Sequence, residues 1–299
     1  MDKEVAVQSL TDTMAKFTSY IGKRLPKDVK AKLADLRTME TNPLARSIYD
    51  SMDGNQQAAD KLNRPSCQDT GVIQYFISAG SNFPLIGELE DVLRDATLGA
   101  TKMGPLRHNA VETFDEKNTG TNTGTQIPWL DWRIVPGEDS CTIDVYMAGG
   151  GCTLPGAAKV LMPGQGYEGV AEFVMDVITE RGVNACPPLL VGVGVSTSVE
   201  TAARLSKLAI LRPVDSRADN PNAALMEQLL EQGLNEIGIG PQGLTGNNSV
   251  MGVNIESSAR HPSTIGVAVN TGCWAHRRGK IRINADMSYE IISHEGVVL

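Results

Sequence analysis

Long apolar runs are missing from this 299-residue sequence; none reaches the roughly 18 to 20 residues that a membrane-spanning helix needs. The opening MDKEVAVQSLTDTM mixes charges and has no apolar stretch of the secretory type, so a cytoplasmic chain is expected. Also missing is any tract rich in Lys and Arg. The 27 basic residues face 35 Asp and Glu, a formal charge of −8, and phosphate neutralisation dominates nucleic-acid affinity. Neither a membrane nor a nucleic acid is expected as a partner. Aromatics are scarce at 5%, yet 41% of residues are hydrophobic, enough for one large domain or two smaller ones. The five cysteines are odd in number, widely spaced and form no CxxC pair. That excludes a zinc ribbon and, in a cytoplasmic chain, argues against a disulfide framework. There is no internal repeat and no low-complexity linker.

What is present falls into two textures. Residues 3–62 read as helical: Val7, Leu10, Met14, Phe17 and Ile21 recur at three- and four-residue steps. Pro26 interrupts, KDVKAKLADLRTME resumes, and a third stretch from Leu44 to about Leu62 stops ahead of Pro65. From Gly71 strands and helices mix. VIQYFISAG reads as a strand and LIGELEDVLRDATLGA as a helix. CTIDVYMAGGG alternates, with Cys141, Ile143, Val145 and Met147 on one face. GYEGVAEFVMDVITERG and NPNAALMEQLLEQGLNEIG read as helices, and PPLLVGVGV as a buried strand. TSVETAARLSKLAIL reads as a helix capped by Thr197, with Glu200 three residues on. Residues 238–253 read as a glycine-rich loop, followed by strands in TIGVAVNTGC, KIRINAD and SYEIIS. The expected fold is mixed α/β (α+β): an N-terminal helical layer over 1–62, then a mixed sheet with packed helices over 63–299, in one continuous domain.

Three cysteines stand at segment ends beside Pro or Gly: Cys67 in RPSCQDTG, Cys186 in NACPPLL and Cys273 in NTGCWAH. Such turns suit metal thiolates, although scattered cysteines also serve as small buried hydrophobes. Cys141 belongs to a strand's apolar face, and Cys152, abutting Gly149–Gly151, fits either reading. Three basic pairs or triplets accompany these turns: Arg107-His108, Arg260-His261 and His276-Arg277-Arg278. In an acidic chain they suggest a small-anion site, with solvated surface charge as the alternative. AGGGCTLPG ends a strand and could cradle an oxyanion. LLVGVGVSTS invites a dinucleotide reading but lacks the third glycine, because Thr197 stands in its place.

CQDTG, PLRHNAVE, AGGGCTLPG, NACPPLLVGVGV, GIGPQGLTG and ARHPSTIGVAVNTGCWAHRRG follow one another across nearly the whole chain. Together they resemble the α subunits of the oxygen-sensitive iron–sulfur hydro-lyases, the family that includes class I fumarases; the N-terminal sixty residues carry least of this. The resemblance implies a [4Fe–4S] cluster on Cys67, Cys186 and Cys273, with one iron lacking a protein ligand and open to substrate. It carries substrate contacts to Gln68, Asp69, Arg107 and Gly150, and an acid pair to Asp69 and His261, the histidine reaching in from a second α subunit. It places the catalytic base on a separate β subunit, in an α2β2 heterotetramer. The implied reaction is dehydration of L(+)-tartrate to oxaloacetate. The alternatives are a two-subunit fumarase acting on malate and fumarate, a non-catalytic iron–sulfur sensor or scaffold, and, more distantly, a dinucleotide-binding oxidoreductase.

Overall fold

The computed structural model describes residues 2–299. In chain order the helices are α1 (Lys3–Lys23), α2 (Lys27–Met39), α3 (Pro43–Leu62), α4 (Leu89–Met103), α5 (Gly150–Thr153), α6 (Gly166–Arg181), α7 (Val199–Ala209) and α8 (Pro221–Glu236). The strands are β1 (Val72–Gly80), β2 (Val111–Glu112), β3 (Lys117–Asn118), β4 (Trp129–Val135), β5 (Cys141–Ala148), β6 (Ala157–Leu161), β7 (Leu189–Ser196), β8 (Val250–Ser257), β9 (Ile265–Gly272), β10 (Arg278–Ile283) and β11 (Tyr289–Ile291). The mixed α/β class is therefore observed. Among the described residues no helix is long and apolar enough to cross a membrane.

The chain forms two compact units. One comprises Met1–Lys27, Gln56–Gly149 and Arg277–Leu299; the other comprises Asp28–Asn55 and Gly150–His276. The N-terminal helices are thus shared out, α1 to the first unit and most of α2 to the second.

The first unit is built on a five-stranded sheet ordered β11-β10-β5-β1-β4. β1 runs antiparallel to β5 and parallel to β4. The alternation read in CTIDVYMA is real: Cys141, Ile143, Val145 and Met147 are all buried, in one core with Phe17 of α1 and Leu89 and Leu93 of α4. Buried hydroxyls need partners. Tyr75, fully enclosed, finds them in Thr18 at 3.0 Å and Thr97 at 3.1 Å, which stitches β1 to both helices.

The second unit has a four-stranded sheet ordered β6-β9-β7-β8. β7 lies parallel to β8 and antiparallel to β9. The two glycines of GVGV, which invited a dinucleotide reading, serve packing. A Cβ on Gly192 would stand 2.3 Å from the Ser206 carbonyl oxygen, and one on Gly194 would stand 1.9 Å from that of Ala202. Both contacts are impossible for a side chain, so glycine is what lets α7 lie flat on β7.

Three local expectations are corrected. The cap of α7 is Ser198, one residue beyond Thr197; the Ser198 N–H donates to Thr201 Oγ1 at 3.4 Å. The loop expected to run to residue 253 gives way to β8 at Val250, and the helix expected from Leu85 begins at Leu89.

Candidate active site

In the first unit the residues just ahead of β1 carry the CQDTG string. Gly71 lets this segment close onto β5. Its φ is +84°, and a Cβ there would stand 2.7 Å from the Met147 carbonyl carbon. The half-buried Asp69 is held on two sides: Oδ1 accepts from the Gly71 N–H at 3.0 Å and from Asn109 Nδ2 at 3.1 Å. Asn109 Nδ2 also donates to the Gly71 carbonyl at 3.1 Å. The Cys67 thiol, half-buried, donates to Gln68 Oε1 at 3.5 Å, and Gln68 itself is exposed. PLRHN reaches the same segment, because the Arg107 N–H donates to the Thr70 hydroxyl at 3.0 Å while its side chain remains exposed. Cys67, Gln68, Asp69 and Arg107 are therefore gathered on one short stretch of backbone.

A further residue joins them. Arg277 is buried, at 3% exposure, and its Nη2 donates to the Asp69 carbonyl oxygen at 2.7 Å. Its own carbonyl accepts from the Met147 N–H at 3.2 Å, which anchors it to β5.

In the second unit Cys186 ends the short 3-10 turn Gly182–Ala185 in a left-handed conformation, φ 55° and ψ 72°, with its side chain exposed. Non-glycine residues adopt that conformation at a cost and mark places where something other than packing decides the backbone. Pairing of Leu190 with Gly272 brings the start of β7 beside the end of β9. Cys186, just before β7, and Cys273, just after β9, therefore lie at the same end of the sheet. The Trp274 N–H donates to the Cys186 carbonyl at 3.2 Å. Gly150 opens α5 beside them: a Cβ on Gly151 would touch the Asn184 carbonyl at 3.0 Å, and Thr271 Oγ1 donates to the Cys152 carbonyl at 2.6 Å. Cys152 is buried in the core of this unit, which decides between its two readings in favour of packing. Gln242, also left-handed, braces the Cys186 turn through its N–H to the Pro187 carbonyl at 2.9 Å.

His261 lies elsewhere. It sits in the loop from β8 to β9, next to the pairing of Ser196 with Gly266, at the other end of β7 from the cysteines. The length of that strand separates them, roughly 20 Å at the rise of extended chain. The loop is well built: the His261 N–H donates to Thr197 Oγ1 at 2.8 Å, and Nδ1 accepts from the Ser263 N–H at 3.1 Å. Arg260 Nη1 donates to the carbonyls of His261, Pro262 and Thr264. Because Nδ1 is an acceptor, the neutral ring carries its proton on Nε2.

Sequence reasoning passes over Asn109 and Gln242, and it sees Arg277 only as one of a basic triplet. That triplet has mixed duties: His276 is buried with Nε2 at 2.8 Å from the Ile210 carbonyl, a packing role. A cavity of about 540 Å³ lined by Glu90, Arg94, Glu112, Trp129 and Trp132 contains none of the expected site residues. Among the described residues no three His, Cys, Asp or Glu side chains are gathered closely enough to hold a metal ion, and all five cysteines are thiols.

The acid and amide groups of the CQDTG turn, with Arg107 beside it, suit the binding of a small anion. A profile described as Fumarate hydratase (Fumerase) matches residues 11–282, and the chain belongs to this family of hydro-lyases. Its curated relatives are more particular. It is 61% identical over 293 residues, 98% of this chain and 97% of the relative, to the L(+)-tartrate dehydratase subunit alpha of Escherichia coli strain UTI89. The protein of that name from Escherichia coli strain K12 is 60% identical over the same shares. A putative L(+)-tartrate dehydratase subunit alpha from Methanocaldococcus jannaschii is 31% identical over 88% of this chain and 93% of its own length.

Proposed function

We propose that this chain is the α subunit of an iron–sulfur L(+)-tartrate dehydratase, completed by a β subunit that carries the base. The observation that carries the reading is 61% identity over 98% of the chain to a relative of that name. The CQDTG turn, held rigid around Asp69, supports it.

Dehydration of tartrate takes a proton from one carbinol carbon and hydroxide from the other; the enol left behind tautomerises to oxaloacetate. Cys67, Cys186 and Cys273 would hold a [4Fe–4S] cluster, whose open iron, when bound, supplies a Lewis acid to the hydroxy acid. Their chemistry fits: soft thiol donors, two of them at one end of neighbouring strands, and buried guanidinium N–H groups without acceptors beside the segment that carries the third. Arg107 pairs with a substrate carboxylate and offsets the negative charge that builds there as the C–H bond breaks. Gln68 and the Gly150 N–H orient the remaining oxygens. The His261–Asp69 pair supplies the proton to the departing hydroxide. The distance of His261 from Cys186 and Cys273 supports its service to the site of a second α chain, in an α2β2 assembly. The base enters from the β subunit. The compartment is cytoplasmic, and exposure of the open iron to oxygen accounts for an expected loss of activity in air.

A second reading, a two-subunit fumarase, draws on the description of the matching family. Turnover by anaerobically reconstituted α and β chains decides between them. Oxaloacetate from L(+)-tartrate, with malate and fumarate converted at most weakly, is expected. Preferential conversion of malate or fumarate would replace tartrate as the substrate, and inertness to all three would remove the enzyme reading of this pair.

A further inference from the structure

Arg277 presents a physical contradiction that the proposed function alone does not resolve. Its guanidinium is 3% exposed, yet only Nη2 has an acceptor, the Asp69 carbonyl at 2.7 Å; Nε and Nη1 are buried and have none. Burial of an unpaired guanidinium is strongly unfavourable, and proteins retain such a group where an anion completes it. No carboxylate lies within ion-pair distance of it among the pairs the described residues form, and the neighbouring Lys280 is engaged with Asp144 at 3.4 Å. The segment that Arg277 grips is the one bearing Cys67, Gln68 and Asp69.

We infer that Arg277 is a positioning and counter-charge residue of the Cys67 turn: one arm holds the Asp69 carbonyl, and the other N–H groups serve the sulfur anions of the cluster bound through Cys67. This rests on the iron–sulfur reading. It differs from the roles of Arg107 and His261, because Arg277 is too enclosed to meet a substrate entering from solvent. Arginine suits this position because its planar fork can address a carbonyl and an anion at once, which a lysine cannot. Hydrogen bonds to cluster sulfur raise the reduction potential, and loss of such outer contacts typically costs about ten- to a hundredfold in metal affinity.

The test uses the full α chain with its β subunit, reconstituted anaerobically with iron and sulfide, as wild type, Arg277→Lys and Arg277→Met. Iron and labile sulfide per chain, the visible and EPR spectra, and the cluster midpoint potential are read together with circular dichroism of the cluster-free chains. Arg277→Met is expected to fold, to load iron about ten- to a hundredfold more weakly, and to give a more negative potential. Arg277→Lys keeps the charge and is expected to recover part of both. Should Arg277→Met fail to fold, the Lys variant still carries the test, because loss of the fork alone should move potential and spectrum. Wild-type loading and an unshifted potential in a folded variant would overturn the inference and leave the iron–sulfur reading standing. A wild-type chain that takes up no cluster would overturn both.

Discussion

Asn109 Nδ2 donates to Asp69 Oδ1 at 3.1 Å, and the same amide reaches the Gly71 carbonyl at 3.1 Å. One side chain thereby sets the plane of the carboxylate and the backbone that follows it. Asn109→Ala removes both bonds without adding charge. A hydrogen bond to a charged group contributes about 1.5–3 kcal/mol, so kcat/KM of the reconstituted enzyme is expected to fall roughly ten- to a hundredfold. Asn109→Asp adds a like charge beside Asp69 and is expected to do worse. Equal kcat/KM in wild type and Asn109→Ala would show that Asp69 needs no such brace.

Gly71 and Gly54 make a matched pair for stability. At Gly71 the positive φ and the 2.7 Å approach to the Met147 carbonyl carbon leave no room for a methyl group. Gly71→Ala is expected to lose about 1–3 kcal/mol in urea unfolding. Gly54 lies inside α3, with nothing within 4 Å of its would-be Cβ. Gly54→Ala is expected to gain up to about 1 kcal/mol from helix propensity. Two losses of equal size would mean that the Gly71 segment relaxes freely.

Lys207 gives the fold a pH dependence. Burial lowers its ammonium pKa from 10.5 to about 8, with neighbouring Cys152 pulling the other way. Between those values the unfolded chain binds the proton and the folded chain does not, so stability rises with pH across that window. It is fully present above the unfolded pKa and lost as pH falls through the folded one. The upper end of the effect is about 3 kcal/mol. Lys207→Met is expected to flatten the profile between pH 8 and 10.5 and to be the more stable protein at pH 7. The measurement is urea unfolding at several pH values, and parallel profiles for the two proteins would refute it.

His261 and the cysteines at opposite ends of β7 lead to a mixing experiment. Cys67→Ser and His261→Asn chains should each be inactive. Co-expressed in one assembly they form hybrids in which one site draws its cysteines and its histidine from intact sources, and random pairing returns about a quarter of wild-type activity. No recovery, from hybrids shown to form, would place the histidine in its own chain's site.

Much of this is legible in the sequence because period and burial coincide. The face of β5 marked by Cys141, Ile143, Val145 and Met147 is the buried one, and the helices over 3–62 end where Pro26 and Pro65 require. β4 is not evident there. WLDWRIV does not alternate cleanly, and its place depends on pairing in parallel with β1, more than fifty residues distant. The Thr197 cap fails because two hydroxyls compete for one helix end, and Thr197 is taken by His261. Asn109 and Gln242 leave no pattern to find: each braces a turn from far along the chain, and a single amide in a loop looks like any other. Arg277 does leave a trace, as a basic triplet in an acidic protein, but only burial separates its role from that of a surface charge.

Iron and labile sulfide per chain, measured after anaerobic reconstitution of four cysteine variants, decide whether the proposed cluster ligands are the right ones. Cys67→Ser, Cys186→Ser and Cys273→Ser are expected to lose the cluster. Cys141→Ser is expected to keep it, because that thiol is enclosed in the core, where burial lifts its pKa to about 12. A full complement of iron in Cys186→Ser, or its loss from a folded Cys141→Ser, would contradict the ligand set of Cys67, Cys186 and Cys273.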